Sequence, residues 1–336
     1  MKISALKINT DKKSKYILAI SVFVFVAVNL IMVQLKVKKT MLLAERFWQG
    51  GAWVEIFFIS LYGAVVVYYM HNPANVAKWR KYTWGLFSLI FFSQLLLGIS
   101  GFHTFLMTAG KLHLPVPAMI IGGPIFRYKI GFMTVLFLST IILSGPAWCS
   151  HLCYFGALDN LLANGKPEKG KIKFKKQLKA TTAILIVFGA LLMRLLGTSY
   201  FTAAIAGGAF GIVGILIIVL LSRKKGKMIH CTSYCPVGTL INYARFINPF
   251  RMYIEESTCT LCNVCTSHCR YDALNPEDIA NKKPGITCTL CGDCITSCHA
   301  GSVKYKLFKF SPETSRNIWL FITVSLHAIF MALARL

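Results

Sequence analysis

Seven stretches of apolar residues alternate with polar, lysine-rich connections along the chain. They span residues 17–35, 52–70, 83–107, 130–148, 180–197, 201–221 and 317–334. Most of them are close to the roughly 20 residues that an α-helix needs to cross a bilayer. The pattern predicts an α-helical integral membrane protein with about six to seven transmembrane helices, six before a polar, cysteine-rich segment and one after it.

The composition supports a membrane location. Hydrophobic residues make up 55% of the 336 residues, and the mean hydropathy is +0.59. The formal net charge of +25 would indicate a nucleic-acid partner in a soluble protein. In a membrane protein, the same excess concentrates in cytoplasmic loops that contact anionic lipid. The apolar stretches favour the second interpretation, with lipid as a partner and no nucleic acid.

The basic connections also predict an orientation. With a cytoplasmic N-terminus, the inner segments would be 1–16, 71–82, 149–179 and 222–316. The first apolar run is longer than that of a signal peptide and has no small-residue cleavage site after it, which favours an uncleaved anchor. We therefore expect a multi-pass protein of the bacterial cytoplasmic (inner) membrane, with its cysteine-rich segment in the cytoplasm.

Eight cysteines between residues 259 and 298 form two copies of the spacing C-x2-C-x2-C-x3-C. Bacterial ferredoxins hold [4Fe–4S] clusters with this spacing, and the fourth cysteine of each copy ligates the other cluster. Zinc sites favour pairs of C-x2-C, and a disulfide framework does not require the spacing twice. We predict two [4Fe–4S] clusters, one on Cys259, Cys262, Cys265 and Cys298, and the other on Cys288, Cys291, Cys294 and Cys269.

These motifs predict three parts of the chain. Residues 1–236 would form a membrane domain, and residues 237–306 an inserted bacterial-type 2[4Fe–4S] ferredoxin domain of the α+β class. Residues 307–336 would contribute a final transmembrane helix.

Four further cysteines form two C-x3-C pairs at the ends of the fourth and sixth apolar stretches. The pairs are Cys149 with Cys153 and Cys231 with Cys235. Residues four apart on an α-helix share a face, so each pair would direct two sulfur atoms the same way. Three interpretations stay open: a third iron–sulfur or other metal centre, a redox-active thiol group, and four structural cysteines. His151 and His230 adjoin the pairs and are alternative ligands.

Two such pairs followed by a double ferredoxin motif resemble the NapH- and NosR-type membrane iron–sulfur proteins, and the NapH type is the closer match. The resemblance covers roughly residues 130 to 300 and rests on the twelve cysteines and Pro236. Tyr154 stands where the first motif of that family has proline. The resemblance implies an integral membrane electron carrier that moves electrons from the quinol pool towards a respiratory reductase.

Ionisable residues near the apolar stretches are candidates for a quinol and proton site, because charge is costly in lipid. These residues are Glu55, His103, His113 and Arg127. The last two belong to an apolar connection, 108–129, which is expected to be an irregular loop. A location of Glu55 and His103 in the lipid headgroup region is the other interpretation.

On the predicted topology, this site lies about 30 Å of hydrocarbon away from the cysteines. A haem on histidines such as His71, His103 or His327 would bridge that distance. Alternatively, a quinone bound near Cys149 and Cys231 would make electron transfer over that distance unnecessary.

The predicted function is electron transfer between the quinol pool and a respiratory reductase or other redox partner, as a quinol dehydrogenase subunit or a relay. The alternative is a membrane copper reductase or assembly factor, with the paired C-x3-C groups as its soft-metal site. A redox-sensing regulator is a third hypothesis.

Overall fold

A computed structural model describes residues 12–105, 116–163 and 170–333, and these residues are mainly helical. The α-helices are α1 (Lys12–Lys36), α2 (Gly51–Met70), α3 (Val76–Ile99), α4 (Pro117–Arg127), α5 (Phe132–Ser144), α6 (Tyr154–Ala163), α7 (Lys175–Leu195), α8 (Tyr200–Leu216), α9 (Arg223–Lys225), α10 (Pro236–Ala244), α11 (Val264–His268), α12 (Pro276–Ala280), α13 (Asp293–Ser297) and α14 (Pro312–Leu333). The strands are β1 (Phe250–Ile254) and β2 (Val303–Leu307).

Seven helical stretches among the described residues are long and apolar enough to cross a membrane. They are Lys12–Lys36, Gly51–Met70, Pro73–Ile99, Thr134–Leu152, Lys175–Leu195, Tyr200–Lys225 and Pro312–Leu333. Each overlaps one of the seven predicted stretches. Many of their apolar side chains are exposed, such as Ile184, Leu185 and Phe188 of α7. The arrangement is compatible with a multi-pass membrane protein, because lipid would cover these side chains.

The helical stretch Pro73–Ile99 begins ten residues before the predicted apolar run 83–107. The Asn72 side chain accepts a hydrogen bond from the Ala74 N–H at 3.1 Å, and Pro73 occupies the first position of a 3-10 turn that leads into α3. Asparagine before proline is a common helix start. The basic residues that follow were predicted to lie in a loop, but Arg80 is completely buried inside the protein.

The connection expected as an irregular loop contains α4 instead. Pro117 starts the helix where its missing N–H costs nothing. Helix α4 packs closely on α8. A Cβ added to Gly207 would lie 2.5 Å from the Met119 sulfur, and one added to Gly211 would lie 2.7 Å from Val116 at the start of α4. The loop prediction was therefore wrong for residues 117–127, because small residues on a neighbouring helix let this segment pack as a half-length helix.

Helix α14 is the most enclosed of the long helices together with the stretch that contains α5. Its Trp319 is fully buried and stacks on Tyr305 of β2, with ring centroids 4.8 Å apart. Two turns later, His327 Nδ1 donates to the carbonyl oxygen of His151 at 2.8 Å. Since this bond fixes the proton on Nδ1, His327 Nε2 accepts from the Tyr62 hydroxyl at 2.9 Å.

The cysteine-rich segment contains an antiparallel pair of strands, β1 and β2, with Phe250 opposite Leu307 and Ile254 opposite Val303. Alternate side chains of both strands are buried, as expected for a two-sided ribbon packed on one face. The α+β ferredoxin fold and the three-part division of the chain stay predictions. The predicted boundary at residue 236 coincides with the start of α10, which packs against α4 and α7.

Candidate iron–sulfur centres

The two C-x2-C-x2-C segments adopt the same backbone turn. Leu261 and Asn263 have φ of 53° and 57°, and the matching residues, Leu290 and Gly292, have φ of 58° and 82°. A short helix, α11 or α13, then carries the third cysteine of each segment. Two residues with left-handed backbone conformation make each segment a tight loop. The three thiols of that segment therefore point towards the inside of the loop.

The structure brings together both predicted sets of four cysteines. Burial and the nearby thiols of Cys298, Cys262 and Cys259 together raise the pKa of Cys265 to about 11. Burial likewise raises the pKa of Cys294, with added effects of Cys291, Cys288 and Cys269. We name the first group the outer set and the second group the inner set. Their role as cluster ligands stays a prediction.

In both sets, a backbone N–H group donates to the sulfur of the remote cysteine. The Ala273 N–H lies 3.2 Å from Cys269 Sγ, and the Ser302 N–H lies 3.3 Å from Cys298 Sγ. Such bonds stabilise a thiolate over a thiol, and thiolate is the form that ligates iron. The geometry of both sets therefore fits iron–sulfur clusters.

The two sets differ in their exposure. Cys262 of the outer set is exposed, and its neighbour Leu261 is 59% exposed. In the inner set, Cys294 is buried, and the Tyr305 hydroxyl donates to the Leu290 carbonyl at 2.8 Å. The outer set is thus partly open to solvent, whereas the inner-set turn packs against α3.

Gly292 meets two requirements at once, and its replacement by alanine tests them. Its φ of +82° costs a residue with a Cβ about 1–2 kcal/mol, and an added Cβ would lie 2.8 Å from Val76 Cγ1. We expect Gly292→Ala to lower the free energy of unfolding by more than that amount, measured by thermal unfolding in detergent.

Gly50→Ala is the matched control, because Gly50 also has a φ of +82° but no atom within 4 Å of an added Cβ. Equal destabilisation by the two variants would contradict a close approach of the inner-set turn to α3.

The first cysteine of each C-x3-C pair lies in a π-helical turn rather than on the α-helix face that the spacing predicts. The turns span Trp148–Leu152 and His230–Tyr234. The second cysteine of each pair leaves the turn in an extended conformation, with φ and ψ of −91° and 115° for Cys153 and −70° and 118° for Cys235. Helices α6 and α10 begin directly after these cysteines. The two motifs therefore share one local structure.

The four thiols of these pairs converge. Burial raises the pKa of Cys231 well above its usual value, and Asp159, Cys235, Cys153 and Cys149 add to the shift. Cys149, Cys231 and Cys235 are buried, and Cys153 is half-buried. We name these four residues the third set.

Two helix N-termini point at the third set. Burial raises the pKa of Cys153 to about 12, while the N–H groups of Gly156 and Phe155 act in the opposite direction. Cys235 receives the same pair of bonds from Gly238 and Val237, again against a larger effect of burial on its pKa. N–H groups at the start of a helix favour anions. The third set is therefore suited to hold negative charge in a buried place.

A glycine three residues after each second cysteine allows this geometry. An added Cβ on Gly156 would lie 2.7 Å from the Cys149 carbonyl oxygen, and one on Gly238 would lie 3.0 Å from the Cys231 carbonyl oxygen. Only glycine lets α6 and α10 start so close to their own π turns.

The neighbouring histidines have other contacts. His151 Nδ1 lies 2.9 Å from Ser150 Oγ. The His230 ring stacks on Phe155 with centroids 5.6 Å apart, and burial lowers the pKa of His230 to about 4. His151 Nε2 and both ring nitrogens of His230 are buried without a hydrogen-bond partner in the described part of the chain, so a ligand role for these two histidines stays a prediction.

Direct hydrogen bonds connect the inner set to the third set. The hydroxyl of Tyr271, two residues after Cys269, donates to the Cys149 carbonyl at 2.8 Å. Ser150 Oγ donates to the Thr289 carbonyl at 3.0 Å, which joins the third-set turn to the inner-set turn. The two sets are therefore neighbours within one packed unit.

Arg80 of α3 adds a charged contact between the same two turns. Its guanidinium makes a bidentate ion pair with Asp293, with Nε 3.2 Å from Oδ1 and Nη2 2.7 Å from Oδ2. Its Nη1 donates to the Ser150 carbonyl at 3.3 Å. The sequence did not single out this residue, because its partner lies 213 positions away.

The predicted quinol residues lie elsewhere. Glu55 accepts from the Ala44 N–H at 2.8 Å at the start of α2, and the nearby Arg46 donates to the Thr104 carbonyl at 3.3 Å. These contacts place the backbone beside His103 near Glu55. Arg127 donates to Gly123 of its own helix at 3.2 Å. His113 lies outside the described residues, and a quinol role for these four stays a prediction.

Among the described residues, no group of three or more His, Cys, Asp or Glu side chains is arranged to hold a single metal ion.

Comparison with known proteins gives one family match. A protein-family model described as a 4Fe-4S binding domain matches residues 127–177 and 208–250. These ranges contain all four cysteines of the third set. The match supports an iron–sulfur, ferredoxin-like protein, and a 4Fe–4S domain indicates electron transfer.

One similar curated protein is an uncharacterized protein of Methanocaldococcus jannaschii, 27% identical over 158 residues. The aligned region covers 46% of this chain and 62% of that protein, so the chain spans less than two thirds of its relative. No solved structure matches the chain.

Proposed function

We propose that the protein is a membrane electron carrier with three iron–sulfur centres, held by the outer, inner and third sets of cysteines. The observation that carries the proposal is the convergence of two C-x3-C pairs beside the inner set. The 4Fe–4S binding domain match falls on those same pairs. Bound [4Fe–4S] clusters supply one-electron transfer, and the residues of this chain fix their positions and exclude water.

The order of the three centres follows from exposure and contacts. The outer set lies at the surface, where Cys262 is exposed. The inner set lies behind it, and hydrogen bonds of Tyr271 and Ser150 lead on to the third set. The third set lies at the ends of two of the apolar helical stretches. Electrons therefore pass between the lipid-facing part of the protein and its exposed ferredoxin-like surface through the inner set.

This arrangement supports the NapH type of function. A quinol in the bilayer would donate electrons near the third set, and a partner redox protein or respiratory reductase would accept them at the outer set. A quinone site near Cys149 and Cys231 avoids the long gap from Glu55, and no haem is then required. The cytoplasmic location of the outer set is part of the proposal, based on the basic connections.

The test is an iron and sulfide count on anaerobically purified protein. Three [4Fe–4S] clusters require about twelve iron atoms per chain. The Cys231→Ala/Cys235→Ala variant is expected to lose about four of them, because half of the third set is removed, while the outer and inner clusters persist. Electron paramagnetic resonance of the reduced proteins should show one signal missing in the variant.

Ser233→Ala is the matched control, since Ser233 is buried in the same π turn but is not a sulfur ligand. This variant should keep all of its iron. A wild-type count near eight would contradict the third centre. Failure of a reduced, short-chain quinol analogue to reduce any cluster in a fully loaded protein would contradict the quinol part alone.

A further inference from the structure

Three lysines on the first turns of α7 have three different environments. Lys175 forms an ion pair with Asp272 at 2.8 Å. Lys176 is exposed. Lys179, one turn further along the helix, is buried, with 6% of its surface exposed. A lysine near the end of a membrane-spanning helix usually extends to the aqueous interface, but Lys179 points into the protein.

The surroundings of the Lys179 ammonium group are those of the third set. Its Nζ donates to the side-chain oxygen of Asn242 at 2.6 Å when that amide is oriented to satisfy both of its groups. A Cβ added to Gly238 would lie 3.3 Å from Nζ. The same Cβ would lie 3.0 Å from the Cys231 carbonyl oxygen, and Gly238 belongs to α10, which begins directly after Cys235, so the ammonium lies beside the third set.

No carboxylate among the described residues forms an ion pair with Lys179. A neutral amide does not compensate a buried positive charge, and burial of an unpaired ammonium is costly. A third set that is deprotonated and bound to a cluster offsets this cost, because four thiolates give that centre a net negative charge. Lys179 is thus a buried cation that lacks a carboxylate partner among the described residues, and the third set is a buried group of thiols that is suited to negative charge. Each supplies the charge that the other lacks.

We propose that Lys179 is the counter-ion of the third centre and raises its reduction potential relative to the other two centres. The inference rests on the third centre proposed above. A fixed positive charge stabilises the reduced form of a cluster, which carries one more electron, and the effect is strong where water is excluded. The chain thereby makes the third centre a better electron acceptor for a donor in the lipid.

The test is a redox titration monitored by electron paramagnetic resonance, on Lys179→Met and on the control Lys176→Met. Both variants remove one positive charge from the same helix, but only Lys179 is buried beside the cysteines. We expect Lys179→Met to shift the one-electron equilibrium of the third centre at least tenfold towards its oxidised form, which is about 59 mV. The signals of the outer and inner centres, and all signals of Lys176→Met, should keep their potentials.

The third-centre signal is the one lost in Cys231→Ala/Cys235→Ala. A Lys179→Met protein with its full iron content and an unchanged third-centre potential would overturn the inference and leave the proposed function intact. If the Lys179→Met protein loses four irons, the Lys179→Arg protein is measured next, because arginine keeps the positive charge. A full iron content in Lys179→Arg supports the counter-ion role, and a loss of four irons in this variant too overturns the inference. A wild-type protein with only eight irons would instead refute the third centre itself.

Discussion

Replacement of Arg80 by methionine is expected to lower the free energy of unfolding by about 3–5 kcal/mol, the usual cost of breaking a buried ion pair. The Arg80 side chain is completely buried, and that of its partner Asp293 is 9% exposed. The variant leaves the Asp293 carboxylate buried without this cation. Since Asp293 lies between Cys291 and Cys294, we also expect the inner-set cluster to be lost more readily.

The measurement is thermal unfolding in detergent, together with the rate at which iron is released to a chelator. Glu277→Gln serves as the control, because its ion pair with Lys171 is exposed on both sides and should contribute no more than about 1 kcal/mol. The double variant Arg80→Met/Asp293→Leu should recover part of the loss, since it removes both charges. An Arg80→Met protein as stable as Glu277→Gln would contradict a structural role for the pair.

Asp272→Asn is expected to have an effect of similar size, about 3–5 kcal/mol, because Asp272 joins the inner-set segment to the start of α7 and to the connection after α9. Its carboxylate is fully buried and forms ion pairs with Lys175 and Lys227. It also accepts from the Ile172 N–H at 3.1 Å. The substitution removes the negative charge that faces both lysines, so the segment after Cys269 should separate from the start of α7 and from the connection after α9.

The pH dependence gives a second measurement of the same contact. Burial acts to raise the pKa of Asp272, but hydrogen bonds and charges of Lys175 and Lys227 outweigh it, and the net pKa lies below the usual value. A lowered pKa in the folded state stabilises the protein at every pH above the unfolded value of about 3.9, and the stabilisation is lost as the pH falls further.

The wild type and Asp272→Asn should therefore differ by a constant amount at neutral pH and converge below about pH 4. Circular dichroism of unfolding at several pH values would show this. A difference that persists unchanged at the lowest pH would contradict the ion pairs as its source. Glu256→Gln, which affects an exposed pair with Lys282, should change the stability little at any pH.

The sequence was sufficient for features that depend on local patterns. All seven apolar stretches correspond to helices, because the residues that fill a membrane-spanning helix are consecutive. The two C-x2-C-x2-C turns bring their thiols together as expected, because the spacing itself sets the size of the loop. Close approach of the two C-x3-C pairs was a conditional expectation, and the structure brings them together.

Features that depend on distant partners could not be predicted. Arg80 looked like one of several loop lysines and arginines, and only the packing of α3 against the inner-set turn shows its partner. Lys179 looked like a solvated residue of a basic loop for the same reason. The π-helical turns were predicted as α-helical, since C-x3-C spacing matches the repeat of an ordinary helix. Residues 117–127 were expected to be irregular because proline and glycine usually disfavour helix, yet this segment forms α4.

The position of α14 has a consequence for biosynthesis. This helix follows all twelve cysteines in the sequence, yet its Trp319 and His327 contact the ring of Tyr305 and the backbone of His151, beside the inner and third sets. During translation, every cysteine therefore leaves the ribosome before the helix that covers two of the three sets. The chain thus has an interval in which these thiols are open to iron and sulfide, before the finished protein encloses them.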